Sequence, residues 1–105
     1  MPTKVEIIID NLESPEAFET ALPDILDKAR ALPGVRSLES GRVWPKEDGT
    51  PTPAYRTLAL LFDGYDEASA ATATAEGGAF FGAVIGATGG TITGLFLDVE
   101  DTSGH

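Results

Sequence analysis

Residues 77–97 read GGAFFGAVIGATGGTITGLFL, twenty-one consecutive positions without a charged side chain. About twenty predominantly apolar residues suffice for a membrane-spanning helix, so length alone permits one. Composition argues otherwise. Seven of the positions are glycine, three are threonine, and Thr88-Gly89-Gly90-Thr91 falls inside the run. Glu76 and Asp98 flank it and no lysine or arginine follows Arg56, so the positive-inside signature is missing. A nucleotide loop fails on spacing, because there is no Walker lysine and no GxGxxG in the right register. Two ordinary elements remain. Phe80, Phe81, Val84 and Ile85 recur at helical spacing. Gly89-Gly90 supplies the left-handed turn that ends a helix, and Thr91–Val99 continues as a strand. Gly78, Gly82 and Gly86 are expected to let that helix lie close to a neighbour.

Upstream, the alanine-rich EASAATATAE begins the same helix, with Asp63 or Asp66 as its cap. Before it, Val35–Trp44 and Tyr55–Phe62 read as two strands separated by the proline-rich loop PKEDGTPTPA. Symmetrical closure of that loop places Trp44 opposite Tyr55, Arg42 opposite Thr57 and Leu38 opposite Leu61. The alternate face carries Val35, Val43, Leu58, Leu60 and Phe62, so both faces of the hairpin hold apolar side chains.

At the N-terminal side, Lys4–Asp10 is a β-branched strand. Ser14-Pro15-Glu16 opens a helix with a hydroxyl cap, a proline where no amide hydrogen is missed, and an acid in the positive first turn. Its apolar stripe is Phe18, Leu22, Ile25, Leu26, Ala29 and Leu32, with a kink or restart expected at Pro23 and an end at Pro33-Gly34. The order is strand, helix, strand, strand, helix, strand. That is an α+β, ferredoxin-like βαββαβ arrangement: a four-stranded antiparallel sheet with two helices on one face. The uncovered apolar face calls for a second copy, and a two-fold dimer that pairs sheet against sheet provides one.

At 105 residues the chain is expected to form one domain, 1–105, with an ordered core over about 4–100. Seven basic against seventeen acidic residues leave a formal charge of −10, which excludes a phosphate backbone or an anionic membrane surface as partner. With no cysteine, disulfides, thiol chemistry and thiolate-ligated metals are excluded. The N-terminus lacks secretory features, and a cytoplasmic location is expected. The carboxylates are scattered and the one histidine is His105, so no metal site is expected.

Several short motifs resemble those of the EthD family, within the dimeric α/β-barrel superfamily. They are Leu32-Pro33-Gly34-Val35-Arg36, ESGRV over Glu39 to Val43, Tyr55-Arg56, Phe62-Asp63 and Glu76-Gly77, spread from about Val5 to Glu100. The resemblance implies a homodimer with a pocket in each subunit, lined partly by the sheet. It also implies a small apolar or phenolic oxygenated metabolite as ligand, handled without a cofactor by oxygenase, isomerase or cyclase chemistry. One departure stands out. Family members often carry a histidine before a Leu-Pro pair in the first helix, where this chain has Ala21 or, aligned from Leu32-Pro33, Ile25. A non-catalytic carrier or sensor on the same fold is the alternative, and a purely structural dimer is a third.

The candidate catalytic residues are Tyr55, Arg42 and Glu39, and the candidate ligand-lining residues are Trp44, Arg56 and Leu38. A tyrosine hydroxyl donates to a developing oxyanion, an arginine holds a carboxylate or enolate, and a buried glutamate acts as a base. The same residues also read as ion pairs and packing. In a regular strand Glu39 and Arg42 point to opposite faces and act together only across a bulge.

Overall fold

Alternation of β-branched and polar residues in β1 (Thr3–Ile9) produces one fully buried row and one half-buried row. In the computed structural model, which describes residues 1–101, β1 is followed by α1 (Pro15–Arg30), β2 (Ser37–Arg42), β3 (Arg56–Phe62), α2 (Tyr65–Thr72), α3 (Ala75–Thr88) and β4 (Ile92–Asp98). The strand order is β2-β3-β1-β4 and every neighbouring pair is antiparallel, a ferredoxin-like α+β sheet.

The inner row of the sheet comprises Thr3, Val5, Ile7 and Ile9 of β1 with Leu58, Leu60 and Phe62 of β3. These side chains form one buried cluster with Phe18, Ile25 and Ala29 of α1, Ala68 and Ala71 of α2, and Phe80 and Val84 of α3. Each large apolar side chain buried there contributes about 1.5–3 kcal/mol before conformational entropy is counted. The outer row is different in kind. Ile8, Leu61 and Leu97 are half-buried, Ala59 is buried and Leu95 is exposed, interspersed with Lys4, Glu6, Thr57 and Glu39.

Five local expectations are corrected. The β2–β3 register is one residue off symmetrical closure: Arg42 pairs with Arg56, Gly41 with Thr57 and Leu38 with Leu60. The last ladder bond runs from the Val43 amide to the Tyr55 carbonyl at 3.1 Å, so Trp44 lies in the loop and not opposite Tyr55. A long proline-rich connection imposes no turn geometry, and inner-row packing sets the register instead. The second helix is two helices. Thr74 divides them, its hydroxyl accepting from the Gly77 amide at 3.0 Å to cap α3 and donating to the Ala71 carbonyl at 2.6 Å. No restart occurs at Pro23, which sits inside the continuous α1. Neither Ser14 nor an aspartate caps its helix through a side chain, since α2 starts from Gly64.

The glycines of α3 also behave differently from expectation. A Cβ on Gly78, Gly82 or Gly86 would meet nothing within 4 Å, so these positions face open space. Gly77 makes the close approach: a Cβ there would lie 2.5 Å from the Thr72 carbonyl oxygen and 2.6 Å from that of Ala71. Gly89 and Gly90 do adopt left-handed conformations, with φ of 69° and 86°, and turn the chain into β4. Gly77→Ala is therefore expected to destabilise the fold by about 2–3 kcal/mol, because backbone must move. Gly82→Ala is expected to stabilise it by about 0.5–1 kcal/mol through helix propensity. Urea denaturation of the two variants beside the parent checks both signs.

Candidate functional site

The register that fills the inner row with aliphatic side chains also places Arg56 there, between Ile9 of β1 and Arg42 of β2. Arg56 is 7% exposed. A guanidinium so enclosed requires partners. Its Nη1 donates to Ser40 Oγ at 2.8 Å, and its Nη2 donates to both carboxylate oxygens of Glu19 at 3.2 Å. Glu19 follows Phe18, whose ring is anchored in the core, so one helical step carries the carboxylate to the sheet's end. Arg42 Nη1 stands 3.9 Å from the same carboxylate.

Tyr55 completes the cluster. Its amide donates to the Ile9 carbonyl at 2.7 Å, tying the start of β3 to the end of β1. The ring meets Phe18 edge to face at 5.9 Å, and the Arg42 guanidinium lies 4.3 Å above its centre. The Tyr55 hydroxyl and Arg56 Nε are both buried without a hydrogen-bond partner. Burial, foremost, raises the Tyr55 hydroxyl above its ordinary value of 10.0, and hydrogen-bonding attraction to Glu19 together with that carboxylate's charge adds to the rise against the opposing charges of Arg42 and Arg56. The approach to Glu19 falls short of full hydrogen-bond geometry. At neutral pH the hydroxyl is therefore a proton donor.

The loop beside this cluster has its own internal order. Asp48 Oδ1 accepts from the Thr50 hydroxyl at 2.7 Å and amide at 3.0 Å, which holds the Asp48 carboxyl below its ordinary 3.8. Asn11 Nδ2 donates to the Thr52 carbonyl at 2.8 Å and fastens the loop to the β1–α1 connection. An open groove of about 310 Å3 is lined by Arg42, Val43, Trp44 and Pro45, with Trp44 87% exposed at its rim.

A larger groove of about 460 Å3 lies between the β1–α1 connection and the end of α3. Its threonine hydroxyls are already committed, Thr88 donating to the Val84 carbonyl at 2.8 Å and Thr91 to the Thr88 carbonyl at 2.9 Å. Size favours that groove, but unpartnered donors favour the Arg42 side, and recognition chemistry follows the donors. Among the described residues no group of three or more His, Cys, Asp or Glu side chains could hold a metal ion. No helix among them is long and apolar enough to cross a membrane. His105 lies outside the described residues.

The structure thus gathers Tyr55, Arg42 and Arg56, and separates Glu39 from them. Glu39 is on the outer face, 3.7 Å from Lys4 Nζ. Leu38 belongs to the inner row opposite Leu60 and lines a third groove with Arg30, Val35 and Arg36. Glu19 and Ser40 are the members that sequence reasoning missed. The available signal was weak: an acid adjacent to a core phenylalanine, and a small hydroxyl two residues before Arg42 on the same strand face.

No family model matches the sequence, and no curated protein matches it. Solved structures do. An ethyl tert-butyl ether d (EthD) family protein from Bacillus halodurans superposes with a TM-score of 0.86 at 21% identity, covering 94% of this chain and 99% of that one. A dimeric ferredoxin-like protein of unknown function from Thermobifida fusca gives a TM-score of 0.71 at 12% identity, covering 94% and 92%. SnoaB, a cofactor-independent oxygenase from Streptomyces nogalater, gives 0.66 at 15% identity, covering 96% and 94%. The chain therefore has the fold of an EthD family protein and of dimeric ferredoxin-like proteins. At these identities the likeness is one of fold.

Two outcomes are expected of the cluster. Glu19→Ala removes the charge facing a buried guanidinium and should cost about 3 kcal/mol in chemical denaturation, against under about 1 kcal/mol for Asp63→Ala at the exposed Arg36–Asp63 pair. Because the folded state holds Tyr55 protonated to higher pH than the unfolded chain does, its contribution is complete below 10.0 and is lost as pH rises above that value. Tyr55→Phe should flatten this alkaline loss while leaving neutral-pH stability equal or higher, since an unpartnered hydroxyl has been removed. Denaturation midpoints from pH 7 to pH 11 read both effects.

Proposed function

We propose that this chain is a homodimeric small-molecule-binding protein. Its protomers pack sheet against sheet, and each receives one oxygenated metabolite at the Arg42–Tyr55–Arg56–Glu19 cluster. The observation that carries the reading is the Tyr55 hydroxyl, buried beside two guanidiniums and within the influence of the Glu19 carboxylate, yet with no partner at full hydrogen-bond geometry. Buried polar groups are nearly always satisfied, and one left open at a cluster of charges fits a ligand's place. The outer sheet face supports the dimer, because Ile8, Ala59, Leu61, Leu95 and Leu97 place apolar side chains on β1, β3 and β4, with Lys4 and Glu6 set between them. Neighbours described as dimeric share the fold, and so does a cofactor-independent oxygenase.

Within this function, binding without turnover is the reading the chain favours. Where a helix histidine would stand this chain has Ala21 or, aligned from Leu32-Pro33, Ile25, which is fully buried in the core. Imidazole is the side chain best matched to proton transfer near neutral pH. A catalytic version would use Tyr55 and Arg42 to polarise a carbonyl, with proton transfer passing to Glu19 or water because Glu39 faces the other side of the sheet. In a cysteine-free chain either role suits a reducing cytoplasm.

A native mass spectrum of protein purified gently from its own cells tests the proposal. The expected species is twice the 11.0 kDa chain mass with one small adduct per protomer. Ile8→Glu should reduce it to the single chain mass, since it replaces the one apolar outer-face side chain of β1 with a second carboxylate beside Glu6 on both protomers. A monomeric parent protein would overturn the dimer, and a dimer that converts its adduct would replace the carrier with an enzyme.

A further inference from the structure

Resting on that binding reading, the cluster also defines what kind of oxygen it receives. Both unpartnered atoms, Tyr55 Oη and Arg56 Nε, sit on hydrogen-bond donors, and Arg56 Nε has no lone pair to offer. The acceptors of the cluster, Glu19 and Ser40 Oγ, are already engaged by Arg56. What is missing is therefore an acceptor. Charge points the same way, because two guanidiniums face a single carboxylate and leave a local excess of one positive charge. The chain as a whole carries −10, but charges beyond about 8 Å are screened at physiological salt while this pair lies at or below the surface.

Access and shape complete the picture. Arg56 is locked in place, whereas Arg42 is more than half exposed and, among the described residues, is held by its 3.9 Å approach to Glu19 and its stacking on Tyr55. Arg42 both covers the Tyr55 ring and lines the groove with Val43, Trp44 and Pro45, so its displacement is the step the proposed site requires. That groove has an apolar wall and one indole, and its inner end is cationic.

We infer that the ligand is a small aromatic carboxylate. Its carboxylate oxygens accept from the Tyr55 hydroxyl and the Arg56 and Arg42 guanidiniums, and its ring lies along Val43, Trp44 and Pro45. A guanidinium binds a planar carboxylate through paired donors, and a neutral amide of the same shape loses the charge-assisted part.

Trp44 is the only tryptophan in the chain, so its fluorescence reports on this groove without a label. Full-length protein is titrated with benzoate and, at matched ionic strength, with benzamide. The expected result is a saturable change with benzoate, binding at least about tenfold weaker with benzamide, and severalfold weaker benzoate binding in both Tyr55→Phe and Arg42→Gln. Both variants keep the shape of the parent side chain or lie at the surface, and circular dichroism verifies folding. Equal binding of benzamide and benzoate overturns the carboxylate and leaves the small-molecule function standing. Saturable benzoate binding that neither variant weakens places the anion elsewhere and overturns the site. If neither probe binds, the native mass spectrum separates the two failures. A neutral adduct overturns only the carboxylate, and a ligand-free protein overturns the binding function with it.

Discussion

The inner row of β1 is the constraint from which the rest follows. Thr3, Val5, Ile7 and Ile9 are all at or below 1% exposed, with β3 on one side and β4 on the other. A one-residue slip of β3 would turn Leu58, Leu60 and Phe62 outward and set Thr57, Ala59 and Leu61 in their place, a smaller and partly polar row. Pairing Leu58, Leu60 and Phe62 correctly with Ile7, Val5 and Thr3 leaves no freedom at the strand's other end, where Arg56 must join the buried row beside Ile9. Hydrophobic packing thus forces a guanidinium inside. Glu19 and Ser40 then become structural necessities, and Phe18 and Tyr55 become its walls.

Such a cluster is a poor way to gain stability. Desolvating a charged pair consumes most of what the pair returns, and an apolar replacement of equal volume is often as stable or more so. Arg56 nonetheless keeps one nitrogen unused, and the adjacent tyrosine keeps its hydroxyl unused. Two unmet donors in one place, next to a groove and under a displaceable Arg42, make a binding role the economical explanation for a costly arrangement. The surrounding rigidity suits the proposed role, since β1, β3 and α1 hold the donors while the connection from Trp44 to Ala54 carries the rim.

The order of elements was legible because periodicities change sharply along the chain. Val5 and Ile7 alternate with Lys4 and Glu6, Phe18, Ile25 and Ala29 repeat at helical intervals, and Gly89-Gly90 separates α3 from β4. The β2–β3 register was not legible, because a loop of proline, threonine and glycine fixes no pairing and only the packed inner row does. The division of α2 from α3 depended on one hydroxyl among several in an alanine-rich stretch. Tyr55, Arg42 and Arg56 were accessible as chemistry-bearing residues near one hairpin. Glu19 was not, because its approach to Arg56 requires the phase of α1 and the register of β3 at once.

β4 lies at the margin of the sheet, and Asp98 is its only charged residue. Marginal strands are usually guarded by lysines, prolines or bulges, since their free amides and carbonyls template further strands. Here ITGLFL has no such guard, with Leu95 and Phe96 both exposed. Protection falls instead to the molecule's net charge, which keeps separate copies apart by mutual repulsion. Colloidal stability is therefore delegated to the whole surface, and it fails where that charge vanishes. Near the isoelectric point of about 4.2, or in concentrated salt, the bare strand is the place from which chain-to-chain β-pairing would start.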